Sequence, residues 1–166
     1  MIALNEALVE RAKRYTDREQ DYLLDDVVII FHKLNVNDQI IDYSFLVSPI
    51  VKSYEGFLKD FFLHIGLIDD IQHQGDRFRV GKTLNPSLRY KRFSIFQRLA
   101  ELDGKGEELA EILWDAWKKA RNETLHFFAG NNKKLTLTEA VEKIHQVLTA
   151  IIKAGEFLAT QEIKTR

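Results

Sequence analysis

Hydrophobic residues recur mostly three and four positions apart along this chain, which is the spacing of one face of an α-helix. They predict a first helix at 2–15 and a second at 22–34, with Asp21 as the cap of the second. The β-branched core of the second segment, 27–31, also suits a strand, but a buried helix is preferred. A turn is predicted at Asn-Val-Asn-Asp, 35–38.

The densest apolar segment, 43–65, is hydrophobic on almost every face and suits the central helix of a bundle. Pro49 either kinks this helix or occupies the first position of a helix capped by Ser48. Gly66 is well suited to end it, because glycine adopts the left-handed backbone that closes many helices.

After Gly66 the chain enters an irregular, basic excursion at 69–87, where a short hairpin around 78–80 is an option. Three further helices are predicted at 88–102, 107–126 and 138–160. The pattern therefore predicts one domain, 1–166, whose N-terminal helices occupy 1–36. Its expected fold is all-α, an up-and-down bundle of five or six helices.

Composition narrows the chemistry that such a bundle carries. The chain has 166 residues and no Cys, which excludes disulfides, thiolate nucleophiles and Cys-ligated metals. No apolar run is long enough for a transmembrane helix and no signal peptide is visible, so a cytoplasmic protein without a membrane partner is expected. The five His are scattered and no nucleotide-binding or hydrolase motif is present, so no metal site and no cofactor are expected.

The end of the helix predicted at 107–126 concentrates residues suited to phosphoryl transfer. Asn122 and His126 lie four positions apart and share a helix face, whereas Arg121 lies about 140° from His126 around the axis. Arg121 and His126 therefore converge only if the arginine side chain bends round or the last turn is distorted. An arginine supplies fixed positive charge for a phosphorane, and a histidine moves protons near neutral pH.

The spacing Arg121-Asn122-x-x-x-His126, late in an all-α bundle, resembles the R-x4-6-H motif of the HEPN superfamily. Many members of that superfamily are metal-independent ribonucleases in toxin–antitoxin, abortive-infection and CRISPR systems. The resemblance covers roughly residues 40–160. It implies an endoribonuclease that acts as a toxin or phage-defence effector, without metal or cofactor.

The earlier segment 53–59 resembles the first core helix of HEPN domains, and RNase LS-type toxins of the superfamily carry a catalytic glutamate there. Glu55 matches that position by its setting. A lone acid on an apolar helix requires a partner. The alternative is therefore a carboxylate paired with Lys52, Lys59 or an arginine of a neighbouring helix.

The resemblance also implies a mechanism. His126 accepts the proton of the ribose 2′-OH as it attacks the adjacent phosphate, and Arg121 stabilises the charged transition state. Asn122 orients the phosphate or the imidazole, and Glu55 holds Arg121 or His126 in place. The products are a 2′,3′-cyclic phosphate and a 5′-OH, and the expected assembly is a homodimer with a composite active site.

One departure from the family concerns regulation. HEPN toxins controlled by a nucleotidyltransferase usually extend the motif to R-x4-H-x-Y, whose tyrosine receives AMP. This chain has Phe128 there, and a phenyl ring has no hydroxyl to modify. A protein antitoxin that occludes the site is the expected partner.

The net charge of −1 hides a segregation of charge along the chain. Residues 76–98 hold seven basic side chains and one acid, 118–134 hold five and one, and 101–115 hold six acids and one lysine. These basic stretches predict an RNA partner. The predicted RNA-binding residues are Arg77, Arg79, Lys82 and Lys118.

The aromatic residues of the first basic stretch have two possible roles, stacking on RNA bases or packing in the core. These residues are Phe78, Tyr90, Phe93 and Phe96. Trp114 and Trp117 lie three apart on one helix face, and the core or a dimer interface is their expected place.

Two other hypotheses are compatible with the sequence. A catalytically inert HEPN-like module would bind RNA, a nucleotide or a partner protein without cleaving it. A helical adaptor unrelated to HEPN would hold Arg121 and His126 apart on its surface, more than about 8 Å from each other and so beyond hydrogen-bond reach.

Overall fold

The computed structural model of the protein describes residues 2–34, 39–102, 104–126 and 133–164. All regular secondary structure in these ranges is helical, which confirms the all-α prediction. The predicted turn at 35–38 lies outside the described residues. None of the described helices is both long enough and apolar enough to cross a lipid bilayer.

The N-terminal part forms α1 (Glu6–Ala12) and α2 (Arg18–Lys33). The segment 22–34 is thus helical, as preferred. The prediction that Asp21 caps it is wrong, because the helix begins a turn earlier. The Asp17 carboxylate accepts the backbone N–H of Gln20 at 2.8 Å, and the Gln20 side chain accepts the N–H of Asp17 at 3.2 Å.

The central helix, α3 (Ser44–His64), contains Pro49 in its interior, so the option that Pro49 opens a helix is wrong. Gly66 ends the helix with φ of 72°. The Leu67 N–H donates to the Phe62 carbonyl at 2.8 Å, and the Gly66 N–H donates to Leu63 at 3.0 Å. These two bonds satisfy carbonyls at the end of the helix.

The excursion at 69–87 contains two short helices, α4 (Asp70–Gln74) and α5 (Val80–Thr83), followed by a 3-10 turn at Pro86–Leu88. No strand forms at 78–80; instead Phe78 and Val80 are buried and Val80 begins α5. With these short helices, the described ranges contain eight α-helices, more than the five or six expected.

The prediction of a helix at 88–102 is wrong for the first half of that segment. Helix α6 (Ile95–Ala100) begins only after Ser94, whose buried hydroxyl accepts the N–H of Gln97 at 3.1 Å. Residues 89–93 form turns instead. A serine cap satisfies an N–H that the helix itself leaves without a partner, which favours a start at this point.

The last third of the chain forms α7 (Gly106–Trp117), a π-helical turn at Lys118–Asn122, and α8 (Leu137–Lys164). The single helix predicted at 107–126 therefore ends earlier, at Asn122. Thr136 caps α8: its hydroxyl accepts the N–H of Glu139 at 3.2 Å, and the Glu139 carboxylate accepts the N–H of Thr136 at 2.8 Å.

One hydrophobic core joins these elements. Helix α3 packs against α2 and α8, α7 packs against α6 and α8, and α1 packs against α8. Tyr54 of α3 is fully buried and donates its hydroxyl to the Leu113 carbonyl of α7 at 3.0 Å. Burial raises the pKa of the Tyr54 hydroxyl well above its ordinary value. Helix α3 also contacts α5 and the π-helical turn, which brings three distant segments together at one place.

Candidate functional site

A cleft of about 260 Å³ lies where α3, α5, α7 and the π-helical turn meet. Five predicted site residues line it, from three segments far apart in the sequence: Glu55, Arg79, Lys82, Arg121 and Asn122. Three of these side chains are cationic and one is a carboxylate, so the cleft attracts anions. We refer to it below as the Glu55–Arg121 cleft.

The π-helical turn positions Arg121 and Asn122. The Glu123 N–H donates to the Lys118 carbonyl at 3.1 Å, five residues back, which widens the turn relative to an α-helix. From α8, the Lys143 ammonium donates to the Lys119 carbonyl at 2.6 Å and pairs with the Glu123 carboxylate at 3.5 Å. The last turn is therefore distorted. From the sequence, such a distortion is one of two ways in which Arg121 and His126 could converge.

Arg121 lies against an aromatic face. Its guanidinium carbon is 5.3 Å from the centroid of the Trp117 ring, one helical turn earlier. A cation over an indole is attracted by the ring electrons, and this contact restricts where the guanidinium can point. Arg121 is half-buried, so it remains open to a ligand in the cleft.

Glu55 projects from α3 into the same cleft and is half-buried. Among the described residues, no hydrogen bond or ion pair within 4.0 Å involves its carboxylate. The alternative in which Glu55 pairs with Lys52, Lys59 or an arginine of a neighbouring helix is therefore not found in the described part of the chain. Glu55 shares the lining of the cleft with Arg79, Lys82 and Arg121.

The wall between α5 and α7 is formed by a glycine packed on a tryptophan. Trp117 is only 3% exposed, and its indole Nε1 is buried without a hydrogen-bond partner among the described residues. A Cβ at position 81 would lie 2.5 Å from this Nε1, so only Gly81 allows α5 to approach so closely. Trp117 belongs to the core, which was one of the two places expected for it. It also lines the cleft, together with the half-buried Trp114.

Some cleft residues were missed from the sequence, namely Gly81, Asn85, Trp114 and Trp117. For Trp117 a signal was available, because it lies four positions before Arg121 and hence on the same helix face. For Gly81 and Asn85 no signal was available, because their place depends on how the excursion folds back on α3 and α7.

Three predicted site residues do not line the cleft. His126 is exposed and lies beyond the helix, which ends at Asn122. The expectation that Asn122 and His126 share one helix face is therefore wrong. Arg77 and Lys118 are exposed outside the cleft, and Phe128 lies outside the described residues.

The aromatic residues of the first basic stretch divide into two pairs. Phe78 and Phe96 are buried in the core, at 9% and 2% exposure. Tyr90 and Phe93 lie on the surface, at 73% and 41% exposure. Within the described ranges, no group of three or more acidic or histidine side chains is placed to hold a metal ion.

The comparisons with known proteins return no match: no family model, no curated protein and no solved structure resembles this chain.

Proposed function

We propose that the protein is a metal-independent endoribonuclease of the HEPN type, a toxin or phage-defence effector whose phosphate-binding groups line the Glu55–Arg121 cleft. In this proposal the long helices α2, α3, α7 and α8 form a HEPN-like up-and-down bundle. The observation that carries the proposal is the convergence of Glu55 with Arg121 and Asn122. The resemblance to RNase LS-type toxins linked Glu55 to the Arg121–Asn122 motif, although the two lie on different helices.

The cleft suits a phosphodiester. Arg79, Lys82 and Arg121 offer positive charge around one small volume, and the Trp117 face restrains the Arg121 guanidinium. Restrained donors stabilise charge that develops in a transition state without first having to reorganise. The negative charge of Glu55 limits the mutual repulsion of the cations that share its cleft.

Cleavage also requires a group that takes the proton of the attacking ribose 2′-OH. We assign this role to His126, which lies four residues beyond Asn122. Since His126 is outside the cleft of its own chain, it reaches a phosphate there by a shift of 123–126 or from a second copy in a dimer. The 2′-oxygen bonds to phosphorus, the bond to the 5′-oxygen breaks, and the leaving oxygen takes up a proton.

The test is cleavage of a labelled single-stranded RNA in EDTA by the purified protein. We expect Arg121→Ala to lower the rate about 100-fold or more, the usual effect of losing a preorganised charge donor, and His126→Ala to do the same. Arg14→Ala and His32→Ala are the matched controls, since both residues are exposed and lie outside the cleft. Full cleavage by both Arg121→Ala and His126→Ala contradicts the proposal.

The exposed position of His126 favours a second candidate, a catalytically inert HEPN-like module that binds RNA in the cleft. This candidate predicts that the wild-type protein retains RNA without cutting it and that its expression causes no growth defect. A cyclic-phosphate product from the wild-type protein, absent with Arg121→Ala, eliminates it. A protein antitoxin of the proposed enzyme would act by covering the same cleft.

A further inference from the structure

The turn at 89–93 presents two aromatic rings on the surface, Tyr90 and Phe93. Hydrogen bonds fix the turn at both ends. The Lys91 N–H donates to the Leu88 carbonyl, and the Ser94 N–H donates to the Lys91 carbonyl, each at 2.9 Å. Because the backbone of the turn is anchored in this way, the turn loses less conformational entropy when a bound ligand orders these rings.

Each exposed ring has a lysine beside it. The Lys91 ammonium lies 4.8 Å from the Tyr90 centroid, and the Lys82 ammonium lies 4.9 Å from the Phe93 centroid. Lys82 also lines the Glu55–Arg121 cleft. The turn is therefore connected to the cleft through the pair formed by Lys82 and Phe93.

The cations of this region have two different roles. Arg89 pairs with Glu107 at 3.3 Å, and Arg98 donates to the Leu67 carbonyl at 2.6 Å, so both hold the fold together. Lys82, Lys91 and Arg92 are exposed and make no ion pair with another described residue. These three charges are available to an anionic partner.

We propose that the 89–93 turn is a base-stacking surface that guides an unpaired stretch of RNA towards the Glu55–Arg121 cleft. Tyr90 and Phe93 stack on bases, while Lys91, Arg92 and Lys82 contact the phosphates between them. Two exposed rings, with exposed cations between and beside them that pair with no acid in the described part of the chain, fit a polymer that alternates π faces with negative charges. A protein-binding surface would instead be depleted of charge at its centre. This stacking surface rests on the proposed function in one respect only, namely that the RNA leads to the Glu55–Arg121 cleft.

The test is a binding measurement that does not depend on cleavage. The probe is a fluorescent 2′-O-methyl oligouridine of about twelve nucleotides, a typical span for single-strand binding surfaces, which lacks the attacking hydroxyl. Its comparison probes are an abasic strand of the same length and a base-paired duplex. We expect Tyr90→Ala and Phe93→Ala each to weaken binding of the oligouridine about tenfold, and Tyr90→Trp to preserve it.

Tyr22→Ala is the matched control. Tyr22 is also an exposed tyrosine, at 47%, with the Arg18 guanidinium 5.5 Å from its ring, but it lies on α2. We expect this variant to bind like the wild type. We also expect the abasic strand to bind weakly and with no dependence on Tyr90.

Equal effects of Tyr90→Ala and Tyr22→Ala, or binding of the duplex as tight as that of the single strand, overturn the inference. Tyr90-dependent binding to phosphatidylserine vesicles without oligonucleotide binding also overturns it, because the surface would then face a membrane. The proposed function fails separately, when Arg121→Ala and His126→Ala both leave RNA cleavage unchanged while the Tyr90 effect on binding persists.

Discussion

Glu55 shows how far a single residue can be interpreted from sequence. An acid within a largely apolar helix needs a polar environment, and in the structure Glu55 lines the cationic cleft. The position of His126 was predicted wrongly, because the prediction assumed an unbroken α-helix from Asn122 to His126. The helix ends at Asn122, after a π-helical turn that hydrophobic spacing alone does not reveal.

His145 carries a prediction about pH. Its Nε2 accepts the Asn5 backbone N–H at 2.9 Å, and partial burial lowers the pKa of its imidazole below the ordinary value. Just below about pH 6.5, the unfolded chain therefore binds more protons than the folded one, and stability rises with pH. The contribution is complete above the unfolded pKa and is lost as the pH falls through the lower folded pKa.

We expect His145→Gln, which keeps an acceptor but does not titrate, to reduce the change in unfolding free energy between about pH 5 and pH 7.5. Urea denaturation at both pH values measures this change. His32→Gln, at an exposed histidine, serves as the comparison. An unchanged pH dependence in His145→Gln would show that another group is responsible.

At the scale of elements, α5 is held by its contact with α7 at Gly81 and Trp117. We expect Gly81→Ala to cost about 1–3 kcal/mol of unfolding free energy, because the new methyl group would lie 2.5 Å from the indole Nε1 of the buried Trp117 and one of the two has to shift. Urea denaturation measures the loss. In a Trp117→Phe background the same alanine should cost clearly less, since the smaller ring leaves room. An equal cost in both backgrounds would argue against this contact.

The elements predicted best were the long amphipathic helices, whose apolar stripes continue over many turns. The segment 88–102 was predicted worst. Arg89 and Arg92 lie three apart and would repel each other on a helix, and Ser94 offers a better start with Gln97 three positions later. Both signals were present in the sequence, whereas the short helices α4 and α5 have too few residues for periodicity to show.

For the whole molecule, the all-α class followed from composition and periodicity, but assembly did not, because a dimer interface leaves no unambiguous pattern in one sequence. The position of His126 makes assembly testable. If the active site is composite, an Arg121→Ala copy paired with a His126→Ala copy contains one intact site. We expect a random mixture of the two inactive variants to recover about a quarter of wild-type cleavage, since half of the dimers are mixed and each has one site of two.

The mixture has to be prepared by co-expression or by unfolding and refolding together, so that subunits exchange. Each variant alone, carried through the same procedure, is the control. No recovery, with mixed dimers demonstrated by two different tags, places Arg121 and His126 of one chain in the same site.

The wall of the cleft has a practical consequence for optical spectroscopy. The chain contains two tryptophans, and both Trp114 and Trp117 line the Glu55–Arg121 cleft. The intrinsic indole emission of the unlabelled protein therefore originates entirely at the proposed site. Quenching of that emission during a titration reports directly on occupancy, and Trp114→Phe leaves a single emitter in contact with Arg121.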